Sequence, residues 1–444
     1  MQQAATGRSR LGIRERYYRV VDWLSNPEVG MDTGRWLGLA LLVGLIAAIM
    51  RQPIVALIAV GIAAVALLTR VWWSWALRGL TYERSVSQAR AFHGDTVNVI
   101  LTATNAKPLP LTRLDIADLV SANVSITGRE LERSDQGPAR ILRTLYSLGM
   151  YEKVNYTYHV PCRQRGWHRF GPATAVASDP LGLVARREVV GGEARFLVYP
   201  RVVPITNLIV PPRQPFGDLR PERSVIEDPM RMAGVREYQP GDSPKRIHWR
   251  ATARTGTMQT RVFEPSASPV AAIFLDTITF SFLWEGQNSA LLELAVTTAA
   301  SMSNQLLAGR HQVGLYANAP IPNRSRTVRV PPGRRPGQLT RILEDLATLV
   351  PAFGDRIEKM IMQEMPRLPW GATVVIITCR VTDSLQRSLL RLSRGGGAQR
   401  FVIVGIGVQP QLLPELRRRI PVYHLSDAEA WDEIEQITMT RVAQ

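Results

Sequence analysis

The chain has 444 residues, 45% of them hydrophobic, and a formal charge of +17. That length carries two or three domains with cores of their own, and two distant cysteines, Cys162 and Cys379, exclude a disulfide framework or a cysteine zinc cluster and fit a reducing compartment. Lysine stands only at positions 107, 153, 245 and 359, so arginine supplies nearly all the positive charge, a balance that suits nucleic acid, anionic lipid or acidic protein surfaces and does not choose among them.

Residues 1–32 are expected to form an N-terminal cytoplasmic segment. Within it Leu11–Leu24 (LGIRERYYRVVDWL) interleaves arginine with tyrosine and aliphatic residues at helical spacing, which reads either as an interfacial helix with its arginines toward anionic lipid or as a solvated one. Two uncharged runs follow, Trp36–Met50 and Ile54–Leu68, separated by Arg51-Gln52-Pro53. With flanking residues borrowed, 33–78 reads as a transmembrane helical hairpin. A cleaved signal peptide is not expected, because more than thirty residues precede the first run and a second follows at once. Six arginines (8, 10, 14, 16, 19 and 35) precede the first span and Arg70, Arg78 and Arg84 follow the second, against Arg51 alone in the connector. Both ends and the soluble domains are therefore expected on the cytoplasmic side of the cell membrane, with Trp72, Trp73 and Trp75 as an interfacial belt.

Over 80–200 the period changes to two. Val97, Val99, Leu101 and Ala103 alternate with polar neighbours, broken by Ile100, and Val154, Tyr156, Tyr158 and Val160 do the same. Turn signals at His93-Gly94-Asp95, Asn105–Pro110, Gly137-Pro138 and Gly171-Pro172 lie between such runs, predicting an antiparallel β-sandwich. His159 and His168 read as structural histidines with their hydrogen bonds satisfied.

Residues 201–265 connect this domain to the next and carry VREYQPGDSPKRIHWRATARTGTMQTRVFEP from Val235 to Pro265. Pro240-Gly241 favours a tight turn in which Asp242 accepts backbone N–H bonds. Arg246, Arg250 and Arg254 recur every four residues, which on a helix aligns them on one face, with Trp249 between them and its ring available for burial under an arginine. Two readings stay open: a basic recognition face, or a strap whose arginines pair with acidic residues of neighbouring domains.

Residues 266–444 alternate short apolar runs with helical patterns. Strands are expected at Val270–Leu275, His311–Tyr316, Thr373–Thr378, Phe401–Gly405 and Val422–Leu425, and helices at about Ser289–Ala308, Gly337–Val350, Asp383–Ser393, Gln411–Arg419 and the C-terminus. This is a parallel α/β sheet covered on both faces. Asp276 stands at a strand end, where such sheets bind ligands. The residues two and four places on, Ile278 and Phe280, offer no oxygen, so Mg²⁺, the one cofactor to consider, is not expected. Gly405-Ile406-Gly407 fails as a dinucleotide loop because Pro410 takes the third glycine position.

The motif Tyr238-x-Pro240-Gly241-Asp242-x-x-x-Arg246-x-x-Trp249-x-x-x-Ala253-Arg254, followed by Thr260-Arg261-x-Phe263-Glu264, resembles the signature of the bacterial "domain of unknown function 58" family. Arg165-Gly166 with Phe170-Gly171-Pro172, Ser178–Leu183, Val198–Val202 and Pro331-Pro332-Gly333 agree with it, so the resemblance spans roughly 35–425. It implies a membrane hairpin, a β-rich domain and a von Willebrand factor A-like, Rossmann-type C-terminal domain, in proteins that accompany MoxR-type AAA+ ATPases as partners or adaptors. The adhesion-site pattern of that fold, Asp-x-Ser-x-Ser, is kept at Asp276 and lost at Ile278 and Phe280, with Cys379 in the turn after a second central strand; metal-free protein contact is the expectation. The leading functional expectation is thus a non-enzymatic membrane scaffold or adaptor. The alternatives are a basic binder of nucleic acid or anionic lipid, whose usual modules are missing from the sequence, and a hydrolase using Asp276, Asp242 and His248. No small-molecule substrate is expected.

Overall fold

The computed structural model describes residues 33–134, 137–179, 185–207, 227–239, 242–265, 269–280, 286–320, 327–350, 355–369, 371–394, 399–409, 411–426 and 431–442. The amphipathic stretch at Leu11–Leu24 and the Pro240-Gly241 turn lie outside them. The chain divides into two compact units, 1–200 and 201–444.

The first unit opens with helices α1 (Thr33–Ile49) and α2 (Pro53–Trp75). Ala40 and Ala47 are buried on α1 and Ala59 and Ala66 on α2, while Leu41, Leu45, Ile49, Leu57 and Leu68 point outward. A side chain added at Gly44 would sit 3.4 Å from the Ala59 methyl. Small residues therefore form the seam and large apolar ones the outer surface, the reverse of a water-soluble helix pair. Among the described residues α2 is the one helix long and apolar enough to cross a membrane; α1 is apolar but shorter.

The β strands of this unit are β1 (Leu80–Val86), β2 (Arg90–Ala91), β3 (Thr96–Asn105), β4 (Leu111–Val120), β5 (Glu132–Arg133), β6 (Arg140–Leu148), β7 (Lys153–Pro161), β8 (Gly166–Ser178), β9 (Ala185–Val190) and β10 (Ala194–Val198). They form an antiparallel sheet ordered β1-β3-β7 and a seven-stranded sheet ordered β2-β10-β8-β4-β6-β5 with β9 against β8. Residues of both sheets, Val99 and Leu101 on one and Ile116, Tyr146 and Phe170 on the other, share one core. Ile100 does not break the alternation of β3; it occupies the outer face, half-buried, between buried Val99 and Leu101. Tyr156, expected inward, is exposed, and only Tyr158 and Val160 of that run are buried.

A buried ion pair ties the sheets together. Arg84 on β1 reaches Asp118 on β4 in a two-pronged contact, Nε to Oδ2 at 2.8 Å and Nη2 to Oδ1 at 3.1 Å, and the Tyr82 hydroxyl donates to the same carboxylate at 3.2 Å. His159 Nδ1 lies 2.7 Å from Asn98 Oδ1, as a satisfied histidine should. His168 differs from expectation. It is fully buried against the Phe196 ring with neither ring nitrogen partnered among the described residues, and burial pushes its pKa down to about 4, because an apolar site disfavours the cation.

The second unit adds β11 (Ile205–Thr206), the hairpin strands β12 (Glu227–Glu237) and β13 (Gln259–Pro265) with α3 (Trp249–Thr255) between them, and then β14 (Val270–Leu275), α4 (Ser289–Ala308), β15 (Gln312–Pro320), β16 (Thr327–Gly333), α5 (Gln338–Thr348), α6 (Ile357–Glu364), β17 (Thr373–Thr378), α7 (Asp383–Arg394), β18 (Arg400–Ile406), α8 (Pro414–Arg419), β19 (Val422–Leu425), β20 (Ile437–Thr438) and β21 (Thr440–Arg441). The sheet runs β16-β15-β14-β17-β18-β19-β21, with the five inner strands parallel and both edges antiparallel. The crossover from β14 to β15 moves one way along the sheet and that from β17 to β18 the other. Right-handed connections then put α4 and α7 on opposite faces. The α6–α8 face is packed from Ile361, Leu385, Leu389 and Leu416 onto Phe274, Ile376 and Ile403.

Two elements depart from the sequence reading. In place of the expected C-terminal helix, the described residues 431–442 form turns and the short strands β20 and β21. The first pairs with β11 and the second with the edge of β19, so an open sheet edge wins over local helix propensity. The unforeseen β16 contains Pro331 and Pro332, which an edge strand tolerates because it has a side with no ladder to donate to.

Candidate functional site

Strand pairing brings three polar residues to one level at the carboxyl edge of the sheet. Leu275 is in register with Ala317 on one side and with Ile377 on the other, so the next residues, Asp276, Asn318 and Thr378, stand side by side. The point lies where strand order reverses, the usual ligand position of an open α/β sheet. All three are buried.

Their hydrogen bonds close on themselves. Asn318 Oδ1 accepts from the backbone N–H of Thr277 at 2.8 Å and from its hydroxyl at 2.9 Å. A backbone N–H cannot be anything but a donor, so the amide orientation is fixed and Nδ2 must face Asp276, to which it donates at 2.8 Å. Ile278 N–H donates at 3.2 Å to Asp276 Oδ1, the oxygen that also accepts from Asn318 Nδ2. Thr378 Oγ1 is 2.9 Å from Asp276 Oδ2, 2.9 Å from the Arg380 carbonyl, and accepts from Arg380 N–H at 3.0 Å. A hydroxyl has one proton for two acceptors. The set is satisfied in full when Asp276 carries a proton on Oδ2 and donates it to Thr378, whose own proton goes to the Arg380 carbonyl. Burial drives the Asp276 pKa upward, with the neighbouring Glu358 carboxyl adding in the same direction, which fits a neutral acid.

This donor set does not suit a hard cation. Mg²⁺ requires ionised or carbonyl oxygens in near-octahedral array at about 2.1 Å, whereas here an amide NH₂ and a backbone N–H are aimed at Oδ1. The Arg380 guanidinium also donates to the Phe280 carbonyl, placing a fixed positive charge in the same loop. Cys379 is not a nucleophile in waiting, since burial and then the Asp276 carboxyl push its thiol up to about 12.

The arginine–tryptophan motif is organised differently from the sequence expectation. Arg246 ends a 3-10 turn over Pro244–Arg246, and Ile247 is extended, bridging Thr260, with the His248 N–H bonded to the Gln259 carbonyl at 2.8 Å. The helix therefore starts only at Trp249, and Arg250 and Arg254 share it without Arg246. His248 Nδ1 accepts from Ala251 N–H at 3.0 Å as the amino-terminal cap. Gly256, at φ 72°, closes the other end, with its N–H on the Thr252 carbonyl. Trp249 does not bury its ring: it is 66% exposed, and Met258 and Val235 are exposed as well. Asp242 accepts from Gln239 N–H at 3.0 Å and pairs with Arg236 at 2.6 Å; the Arg236 contact holds its carboxyl below the usual range. Tyr238 N–H bonds the Met258 carbonyl at 2.8 Å at the hairpin end. Asp242, His248 and Asp276, the three residues of the hydrolase alternative, thus each hold local backbone.

Sequence reasoning missed Asn318 and Thr378. A signal existed: each of three apolar runs gives way to one polar residue, but only the register shows that these residues stand at one level.

A curated relative, the uncharacterized protein YeaD of Bacillus subtilis, is 23% identical over 330 residues, which cover 74% of this chain and 76% of the relative. Among solved structures, a CARDB domain from Pyrococcus furiosus matches 27% of this chain and 91% of its own at 14% identity and a TM-score of 0.19. Proximal thread matrix protein 1 of the mussel byssus matches 38% of this chain and 46% of its own at 10% identity and a TM-score of 0.27. Scores this low carry no weight on fold or function. Residues 234–441, which hold both the arginine–tryptophan motif and the Asp276 cluster, match the model described as protein of unknown function DUF58.

Proposed function

We propose that the chain is a membrane-anchored, non-enzymatic adaptor whose C-terminal α/β unit is von Willebrand factor A-like and binds a protein without a metal. Its partner is a AAA+ ATPase of the MoxR type, the class that the family resemblance suggests. The anchor is a two-span hairpin of α1 and α2 with both ends and both folded units on the cytoplasmic side, a topology supported by the arginine distribution. The observation that carries the reading is the exposure of Trp249 on a helix fixed at both ends, flanked by Arg250 and Arg254. Exposed tryptophan beside arginine is the composition of an interface hot spot, and a helix already capped loses little entropy on docking. The closed Asp276 cluster supports the metal-free half of the proposal.

The experiment is photo-crosslinking in cells from a benzophenone residue at position 249. A crosslinked AAA+ ATPase that disappears when Arg250 and Arg254 are changed to glutamate is the expected result. Crosslinks to nucleic acid or lipid alone would favour the basic-binder alternative and count against the adaptor.

A further inference from the structure

We propose that the tip of the turn joining β6 to β7 across the two sheets, Met150 and Tyr151, is a second membrane contact that seats the base of the β domain in the lipid interface beside α2. The inference rests on reading α2 as a membrane span and adds a surface that this reading does not require.

The first step is that no flexible linker separates α2 from the β domain. Trp72, in its last turn, is only 9% exposed and belongs to the β-domain core together with Ala76 and Leu77. The Lys107 ammonium donates to the carbonyls of Ala76 at 2.5 Å and Arg78 at 2.9 Å. Arg186 donates to those of Trp73 and Ser74, each at 3.1 Å, with its guanidinium 5.1 Å from the Trp73 ring. Two cations thus satisfy the carbonyls that a helix end leaves open, and Ala106 N–H bonds the Gly79 carbonyl at 2.9 Å. The orientation of the helix fixes that of the β domain.

The second step is that Lys107 and its neighbour Asn105 also hold the tip of this turn. Tyr151 N–H donates to the Lys107 carbonyl at 3.2 Å, Asn105 N–H to the Glu152 carbonyl at 2.9 Å, and Asn105 Nδ2 to the Gly149 carbonyl at 2.7 Å. Ala76 and Arg78 lie one and three residues beyond the end of α2, within about 5 Å along its axis. The tip is therefore level with the exposed rings of Trp73 and Trp75, the height at which aromatic side chains meet headgroups.

The third step is composition. Met150 is 63% and Tyr151 69% exposed, and Tyr151 has φ 53°, a conformation that favours glycine or asparagine. A turn tip in water would be polar; a bulky aromatic there breaks the local rule without a packing gain, which marks a functional position. Lys153 and Arg78, both exposed, supply cations at headgroup depth.

The test uses the full chain in vesicles of phosphatidylcholine and phosphatidylglycerol, with Cys162 and Cys379 replaced by alanine. An environment-sensitive fluorophore is placed at Met150→Cys, at Gln164→Cys on the turn at the opposite end of β7, or at Leu57→Cys within α2, and quenched by spin-labelled lipid. Expected are a blue-shifted, quenched label at 150, severalfold more quenched than at 164, and a deeply quenched one at 57. Quenching at 57 with 150 no better than 164 overturns the proposal and leaves the span intact; absence of quenching at both 57 and 150 overturns both. A blue-shifted but unquenched label at 150 signals a protein contact and also overturns the proposal. Should the cysteine-free background fold poorly, a benzophenone residue at Tyr151 in the otherwise native chain gives the same decision: lipid adducts support the contact, their absence contradicts it.

Discussion

The two units each bury an aspartate, and they treat it in opposite ways. Asp118 in the β domain faces the guanidinium of Arg84 with both oxygens engaged, so its charge is matched where it lies. Asp276 faces an amide, a backbone N–H and a hydroxyl, none of which carries charge, and the arrangement is complete with the carboxyl protonated. The difference teaches that an acid at a sheet edge is not by itself a ligand position: what its partners can donate decides whether a cation has anything to bind.

Asparagine substitution separates the two cases. Asp118→Asn leaves Arg84 buried beside a neutral amide and is expected to cost about 3–5 kcal/mol, read as a drop in denaturant midpoint with unchanged slope. The second largest effect belongs to His168. Its native pKa of about 4 lies below the unfolded value near 6.5, so the unfolded chain binds the proton first. Stability is then flat above about pH 6.5 and falls as pH drops toward 4, by up to about 3 kcal/mol. His168→Phe should remove that slope, and equal slopes in parent and variant would contradict the assignment.

Smaller effects are expected at the sheet edge. Asp276→Ala strands its donors and should cost about 1–3 kcal/mol. Asp276→Asn presents an acceptor to Asn318 and a donor to Thr378, and should stay within about 1 kcal/mol of the parent. The sign of its pH dependence is fixed: a native pKa raised above the unfolded one means that the carboxyl's contribution is full below about pH 3.9 and is lost as pH rises through the native value. The asparagine variant should therefore gain on the parent as pH increases from about 4.

Much of this architecture is legible in the residues. Ser289–Ala308 and Thr373–Thr378 are helix and strand with the bounds that their patterns predict, because long amphipathic or continuous apolar runs admit one arrangement. What was illegible depends on pairing. The helix around Arg246, Arg250 and Arg254 is cut short because Ile247 bridges Thr260. Residues 431–442 give up helical propensity to an open strand edge. The partners of Asp276 lie 42 and 102 positions away, where no spacing rule reaches.

The central claim is that the C-terminal unit works without a metal because Asp276 is satisfied by its own neighbours. Its most direct test is the unfolding midpoint of the Asp276→Asn protein against the parent at pH 7, each with excess Mg²⁺ and with chelator. The account predicts that the variant is at least as stable as the parent and that Mg²⁺ shifts neither. A parent stabilised by Mg²⁺, with that gain abolished in the variant, would contradict it.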